Sequence, residues 1–138
     1  LYQGYDMLNF IYQIPMKTIF SKETIHDLSK EVRRYGKKVF MVYGGHSSFE
    51  IGLHEIITRQ FKDTGIVYQE LGHVTEPSLS LLYQGIKKAR VLQADLILGV
   101  GGGGRIDMAK VIAVGVRWTA IVRSIVWIPE NMVVLVVL

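Results

Sequence analysis

Short apolar runs rich in β-branched residues alternate along this chain with longer segments whose apolar residues recur every three or four positions. The short runs occupy residues 37–43, 66–71 and 94–100. Their starts are about 28 residues apart, which is the size of one strand-helix unit in a parallel sheet. The pattern therefore predicts an α/β fold with an open, mostly parallel sheet and helices on both faces.

The longer segments are predicted helices, each with one apolar face. They occupy residues 23–35, 48–64, 78–92 and 105–114. Gly36 and Gly65 stand where C-terminal caps belong, and Ser21 can cap the start of the first helix. The predicted apolar faces are Ile25, Leu28, Val32 and Tyr35 in the first helix, Phe49, Leu53, Ile56, Ile57 and Phe61 in the second, and Leu79, Leu82, Ile86 and Ala89 in the third.

The two ends of the chain carry further strand patterns. Residues 10–20 are predicted to form an edge strand or a hairpin arm, because Pro15 cannot donate a hydrogen bond to a sheet ladder. The apolar run 132–138 suits a central parallel strand, which would favour oligomerisation or a partner if it were left uncovered. Residues 1–6 resemble a tag remnant before Met7. No linker divides residues 7–138, so one domain is predicted.

Composition narrows the class of partner. The chain has 138 residues, a net charge of +4 and no cysteine. Its Lys and Arg residues are spread along the sequence, which favours a solvated surface or an anionic small molecule over a nucleic acid. The lack of cysteine excludes disulfides and thiolate metal sites and fits a cytoplasmic protein. Arg123, Pro129 and Glu130 interrupt the most apolar stretch, so neither a signal peptide nor a membrane span is predicted.

The stretch ILGVGGGGRIDMAK, residues 97–110, is the first candidate binding site. Its four glycines, 101–104, lie between the end of a predicted strand and the start of a predicted helix. N–H groups at a helix start favour phosphate, and glycine lets a phosphate approach the main chain without a Cβ in the way. A tight turn alone needs one or two glycines, so four favour binding of an anionic nucleotide.

Two general phosphate motifs match this stretch only in part. Residues 99–104 satisfy G-x-G-x-x-G, but a glycine run satisfies many patterns, and no acidic residue stands about 20 residues further on to hold a ribose. Arg105 and Ile106 occupy the Lys and Ser/Thr positions of G-x-x-x-x-G-K-[ST]. A nucleoside triphosphatase is therefore a poor fit.

A second glycine loop, Gly44-Gly45-His46-Ser47, also follows a predicted strand and precedes a predicted helix. The carboxyl ends of parallel strands meet at one edge of a sheet. The two loops therefore suggest one ligand that reaches across both.

Together these residues resemble the iron-containing alcohol dehydrogenase family. Residues 101–110, GGGGRIDMAK, are similar to its G-G-G-S-x-x-D-x-A-K motif, and residues 42–52, VYGGHSSFEIG, to its V-Y-G-G-G-S loop. Residues 7–20 resemble the opening of the butanol dehydrogenase branch. The similarity ends at about Gly115, and residues 116–138 look divergent or truncated. The resemblance implies a Rossmann-like N-terminal domain that holds a dinucleotide.

The function implied by the resemblance is NAD(P)-dependent oxidation or reduction of a small alcohol or aldehyde, with this chain as the cofactor-binding portion. Family members that use NAD often carry Asp where Gly44 stands, so the sequence favours NADP over NAD, with Ser47 and His46 as donors to a 2′-phosphate. His46 as a solvent-facing loop residue is the alternative. The implied cofactor-binding residues are Gly44, Gly45, His46, Ser47, Gly101, Gly102, Gly103, Gly104, Asp107 and Lys110.

Several features depart from the family or admit simpler explanations. Gly104 stands where Ser is usual, and residues 75–77 match the usual E-P-N-P turn only in part. Asp107 and Lys110 make an i, i+3 pair that surface stabilisation would also explain. His54-Glu55-Ile56-Ile57-Thr58 approaches the zincin motif, but Thr58 stands where the second ligand belongs, so helix-surface polarity explains it better.

The family's helical C-terminal domain, with the Asp and three His that bind its iron or zinc, is absent from this sequence. We therefore expect no metal ligand and no catalytic residue in this chain, and no turnover by the chain alone. The alternatives are a non-catalytic nucleotide-binding or assembly module and the nucleotide domain of a glycerol dehydrogenase or dehydroquinate synthase relative.

Overall fold

The computed structural model describes residues 16–19, 24–45, 47–72, 74, 78–101, 103–122 and 133–137. The predictions for residues 1–6, Pro15, Ser21, His46, Gly102 and 75–77 lie outside these ranges. The described elements are β1 (Met16–Ile19), α1 (Leu28–Arg33, preceded by a 3-10 turn at Thr24–Asp27), β2 (Lys38–Tyr43), α2 (Ser48–Thr64), β3 (Val67–Leu71), α3 (Leu79–Leu92), β4 (Leu96–Val100), α4 (Gly103–Val122) and β5 (Val133–Val137).

The strands form one sheet in the order β1-β5-β4-β2-β3, and every neighbouring pair is parallel. Among the described strands, β1 lies at the edge of the sheet and pairs in parallel with β5, in agreement with the predicted edge strand. The apolar run at the end of the chain contributes β5, which lies between β1 and β4 with Val134 buried. The prediction of a central parallel strand is therefore confirmed.

Alternation along β2 builds a core on each face of the sheet. Val39, Met41 and Tyr43 pack with buried residues of α1 and α2. Phe40 and Val42 pack on the opposite face with buried residues of α3 and α4. Each fully buried large side chain contributes roughly 1.5 to 3 kcal/mol. The predicted α/β class, with helices on both faces, is confirmed.

The helix α4 is longer than the predicted helix at 105–114, since it begins at Gly103 and continues to Val122. Gly115 does not end it. A Cβ at Gly115 would overlap Ile86 of α3, and a Cβ at Gly85 of α3 would lie 2.5 Å from Ile112 Cδ1. The two glycines let α3 and α4 approach closely.

Two predicted core positions are wrong, and both lie at helix ends. Tyr35 is 37% exposed because α1 ends at Arg33, so Tyr35 no longer follows the helical face. Leu79 is 64% exposed because it is the first residue of α3. The prediction for Gly65 is confirmed: it caps α2 with a left-handed φ of 72°. None of the helices in the described ranges is both long and apolar enough to span a bilayer.

A candidate dinucleotide site at the carboxyl edge of the sheet

The carboxyl ends of β2 and β4 lie side by side, and the helices that follow them pack on opposite faces of the sheet; the space between these strand ends is called the crevice below. These strands are neighbours, and Tyr43 at the end of β2 lies opposite Val100 at the end of β4. The chain then passes to α2 on one face and to α4 on the other. Ligands of open α/β sheets bind at such a switch point, outside the carboxyl ends of the strands.

At two positions here, a glycine leaves the space of a Cβ to a neighbouring side chain. A Cβ at Gly44, which is buried, would overlap the guanidinium group of Arg105. Gly101, also buried, has a φ of +114°, a conformation that other residues rarely adopt, and a Cβ there would lie 3.0 Å from Glu50 Oε1. The two predicted glycine loops therefore lie at the same edge, with Arg105 and Glu50 between them.

Arg105 and Glu50 form an ion pair across the crevice. Arg105 Nη2 is 3.5 Å from Glu50 Oε1, and the side chains are 17% and 12% exposed. The Nε–H of Arg105 is buried without a hydrogen-bond acceptor among the described residues. Because buried polar groups are nearly always satisfied, this donor is exceptional.

Neither charged residue was among the predicted site residues. A signal for Glu50 was present, because Ser47-x-x-Glu50 matches the S-x-x-E pattern of a helix capping box. The structure bears out half of that box, since Ser47 Oγ accepts a hydrogen bond from Glu50 N at 3.1 Å. Arg105 does not match the Lys of the motif G-x-x-x-x-G-K-[ST]. No local sequence pattern predicts that its side chain lies over Gly44.

The remaining loop residues lie around the same crevice. Ser47 is the exposed N-cap of α2. As an N-cap it accepts from Glu50 N, and its hydroxyl keeps one hydrogen to donate. Gly45, with a φ of +77°, lies against Tyr43, whose hydroxyl oxygen would be 2.9 Å from a Cβ at this glycine. Gly103 and Gly104 are the first two residues of α4, whose N–H groups carry the positive end of the helix dipole.

Asp107 and Lys110 are arranged differently from the prediction. Asp107 is exposed and lines a groove of about 270 Å³ between α3 and α4, together with Leu82, Met108 and Val111. No ion pair joins Asp107 to Lys110 among the described residues. The predicted i, i+3 pair is therefore wrong, because helical spacing brings two side chains within reach but does not hold them together. Their role in cofactor binding stays a prediction.

The near-zincin segment belongs to a cluster of polar side chains beside the crevice. His54 Nε2 is 2.6 Å from Glu70 Oε2, and the His54 ring stacks on Tyr43 with centroids 4.3 Å apart. Thr58 Oγ1 donates to the carbonyl oxygen of His54 at 2.8 Å. Within the described ranges, no group of three or more His, Asp or Glu side chains could hold a metal ion.

Tyr43 connects this cluster to the crevice. Burial raises the pKa of its hydroxyl above the usual 10.0, and the negative charges of Glu50, Glu70 and Glu55 raise it further. The phenol is therefore neutral near neutral pH, where its hydroxyl can donate a hydrogen bond.

Comparison with known proteins agrees with this geometry. Residues 15–137 match the family described as iron-containing alcohol dehydrogenase. The chain is 43% identical over 113 residues to the probable NADH-dependent butanol dehydrogenase 2 of Bacillus subtilis and 40% identical over 113 residues to the NADH-dependent butanol dehydrogenase A of Clostridium acetobutylicum. Each match covers 81% of this chain and 29% of the relative.

Comparison with solved structures finds the same family. The crystal structure of NADH-dependent butanol dehydrogenase A from Thermotoga maritima superposes with a TM-score of 0.72 at 28% identity, over 91% of this chain and 33% of that one. The chain thus spans about a third or less of the length of the proteins it matches. On the family match and the shared fold, this chain belongs to the iron-containing alcohol dehydrogenase family.

Proposed function

We propose that the crevice between Gly44 and Gly101 binds the NAD(P) cofactor of an alcohol or aldehyde oxidoreductase. The observation that carries this proposal is the meeting of two glycine loops at the switch point of the sheet, each without a Cβ where neighbouring side chains leave no room for one. A dinucleotide has a pyrophosphate that needs close backbone contact, and it is long enough to reach both loops.

The chain offers three kinds of group to such a ligand. The N-terminal N–H groups of α4, at Gly103 and Gly104, favour the negative charge of the pyrophosphate. Gly101 has no Cβ to keep a phosphate from its main chain, once the side chain of Glu50 moves from the space beside it. Ser47 can donate its hydroxyl hydrogen at the opposite side of the crevice. His46 and Gly102, outside the described ranges, complete the two loops.

Within this proposal, NADP is the preferred cofactor. Gly44 provides no carboxylate to repel a 2′-phosphate, and the guanidinium of Arg105 lies against it. The second candidate is NAD, which the names of the two butanol dehydrogenases favour, since both are called NADH-dependent.

The bound dinucleotide would supply hydride transfer between its nicotinamide and the carbon of a small alcohol or aldehyde. The described residues position that cofactor but hold no metal cluster, so no step through iron or zinc can be assigned to them. We expect the 138 residues alone not to turn over, because hydride transfer needs donor, acceptor and metal held together. Metal-dependent oxidation of 1-butanol by this chain would contradict that expectation.

A fluorescence titration of the purified chain with NADPH and, separately, with NADH tests the proposal. Saturable binding of at least one dinucleotide is expected, and tighter binding of NADPH supports the assignment of NADP. A folded chain that binds neither dinucleotide would instead favour a non-catalytic assembly module. Circular dichroism of the same sample establishes that the chain is folded.

A further inference from the structure

We infer that Arg105 is a phosphate-binding residue of the dinucleotide site and that Glu50 holds its guanidinium in place until a phosphate group replaces the carboxylate. This inference rests on the proposed function. It adds a residue that neither the glycine pattern nor the predicted set of cofactor contacts includes.

The position of Arg105 supports the inference first. It is the third residue of α4, directly after Gly104, yet its guanidinium reaches across the crevice to the main chain of Gly44 on the next strand-helix loop. One side chain therefore spans both glycine loops. A ligand that lies across these loops would contact it.

The hydrogen bonding of Arg105 supports it second. The guanidinium has five N–H donors in a planar fork that matches a phosphate or carboxylate. Glu50 does not satisfy this fork fully, since the 3.5 Å separation of Nη2 and Oε1 exceeds the roughly 2.7 to 2.9 Å of a charge-assisted hydrogen bond. The Nε–H is buried, and no described residue accepts a hydrogen bond from it. The fork therefore has capacity for oxygen atoms of a ligand.

The charge balance supports it third. The carboxylate of Glu50 lies close to Gly101, at the place where a pyrophosphate would approach the main chain. A phosphate that enters the crevice is attracted by Arg105 and repelled by Glu50. We expect Arg105 to leave Glu50 and bind the phosphate, because the phosphate is a stronger, bidentate partner for the guanidinium. The bound cation then offsets the repulsion between the phosphate and Glu50.

Two groups of a dinucleotide could be the partner of Arg105: the 2′-phosphate found only in NADPH and the pyrophosphate common to NADPH and NADH. Two fragments distinguish them. The nucleotide 2′,5′-ADP has a 2′-phosphate and no pyrophosphate, whereas ADP has a pyrophosphate and no 2′-phosphate. Both carry two phosphate groups, so a general change of surface charge affects them alike.

The experiment is isothermal titration of the chain and two variants, Arg105→Gln and Glu50→Gln, with NADPH, NADH, 2′,5′-ADP and ADP. Arg105→Gln should weaken binding about tenfold or more for every ligand that carries the contacted phosphate. Glu50→Gln should tighten binding about two- to fivefold, because the competing carboxylate is lost. If the ion pair only stabilised the fold, both substitutions would change affinity in the same direction. A loss of affinity in Arg105→Gln and a gain in Glu50→Gln would therefore support a role in binding.

Arg90→Gln is the matched control. Arg90 also has a buried Nε without an acceptor among the described residues, but it lies in the last turn of α3, which leads into the start of β4 and not to its carboxyl end, where the glycine loops are. It should not change the affinity for any of the four ligands. Thermal unfolding of each variant shows whether the chain remains folded, and Arg105→Lys, which keeps the charge without the fork, should recover part of the lost affinity.

The outcomes separate the inference from the proposed function. A loss in Arg105→Gln confined to NADPH and 2′,5′-ADP assigns the 2′-phosphate. A loss that extends to NADH and ADP assigns the pyrophosphate, whether or not it includes 2′,5′-ADP, because the 5′-phosphate of that nucleotide corresponds to one half of the pyrophosphate. Unchanged affinities in Arg105→Gln, or an equal loss in Glu50→Gln, would overturn the inference while the wild-type chain still binds. A wild-type chain that binds neither dinucleotide would remove the proposed function itself.

Discussion

At the amino edge of the sheet, where the strands begin, and at its carboxyl edge, where they end, an acidic side chain lies beside a glycine. The hydrogen bonding of the two acidic side chains differs. At the amino edge, Asp95 Oδ2 accepts hydrogen bonds from Lys37 N at 2.9 Å and from Lys38 N at 3.0 Å, and the side chain fills the space beside Gly36. At the carboxyl edge, Glu50 lies beside Gly101, and its cationic partner Arg105 has a buried donor with no acceptor in the part of the chain that the structure describes.

This difference separates a fold-stabilising contact from a binding site. The Asp95 carboxylate ties the start of β2 to the start of β4 through two main-chain donors. At the carboxyl edge, the ion pair of Arg105 and Glu50 leaves the buried Nε–H of Arg105 without an acceptor among the described residues. We therefore expect substitutions at the amino edge to change stability alone and substitutions at the carboxyl edge to change binding.

The largest effect is expected for Gly101→Ala. Alanine at a φ of +114° is strained, and its Cβ would lie 3.0 Å from Glu50 Oε1. The free energy of unfolding should fall by about 1 to 3 kcal/mol, and dinucleotide affinity should fall about tenfold or more. Urea denaturation and NADPH titration measure the two quantities.

Gly52→Ala is the control for that substitution. Gly52 lies inside α2, and a Cβ there would meet nothing within 4 Å. Alanine should stabilise the helix by up to about 1 kcal/mol without changing dinucleotide affinity. If the two alanine variants behaved alike, the account of Gly101 would be wrong.

Asp95→Ala should have the next largest effect, and on stability alone. The variant loses the acceptor of two main-chain N–H groups, so the free energy of unfolding should fall by about 1 to 2 kcal/mol. Asp95→Asn, which keeps one acceptor oxygen, should lose less. A drop in NADPH affinity at a temperature where the variant is fully folded would show that the two edges are not independent.

Gly44→Asp should have a smaller effect that depends on the cofactor. A carboxylate at this position would pair with Arg105 and repel a 2′-phosphate, so NADPH should bind about tenfold more weakly while NADH changes less. Gly44→Ala provides the control, since it displaces the guanidinium without adding charge. Equal losses for both dinucleotides in Gly44→Asp would count against a 2′-phosphate near Gly44.

Tyr43→Phe should have the smallest effect near neutral pH and a larger one in alkali. The pKa of Tyr43 is raised in the folded state by burial and by nearby carboxylates, while the unfolded chain keeps a value near 10.0. Above that pH the unfolded state binds fewer protons than the folded state, so stability falls as pH rises. Urea unfolding at pH 8 and at pH 10.5 should show a smaller decline for the variant than for wild type.

Much of the fold could be predicted because its signals are local. The bounds of α2 follow from a capping Ser47, an apolar stripe that includes Leu53 and Ile57, and a terminal Gly65. The bounds of α4 could not be read in this way. The predicted helix stopped at residue 114, whereas α4 continues through Gly115 to Val122. Gly115 packs closely against Ile86 of another helix, and sequence spacing does not reveal that contact.

The candidate site was predictable in its main chain but not in its side chains. Glycine after a strand is a local signal, and the parallel sheet brings Gly44 and Gly101 to one edge. Arg105 lies over Gly44, 61 positions earlier in the chain by their numbers, so its role depends on tertiary packing. The predicted side-chain pair of Asp107 and Lys110 was wrong, because two residues that are close along a helix need not be in contact.

The most direct test of the central claim is an amide chemical-shift titration of the isotope-labelled chain with its preferred dinucleotide. If the two loops form one site, the amide signals of Gly44, Gly45, Gly101 and Gly103 should shift together and fit a single dissociation constant, while that of Gly36 at the amino edge stays in place. Shifts confined to one loop, or two different dissociation constants, would contradict a single site that spans both loops.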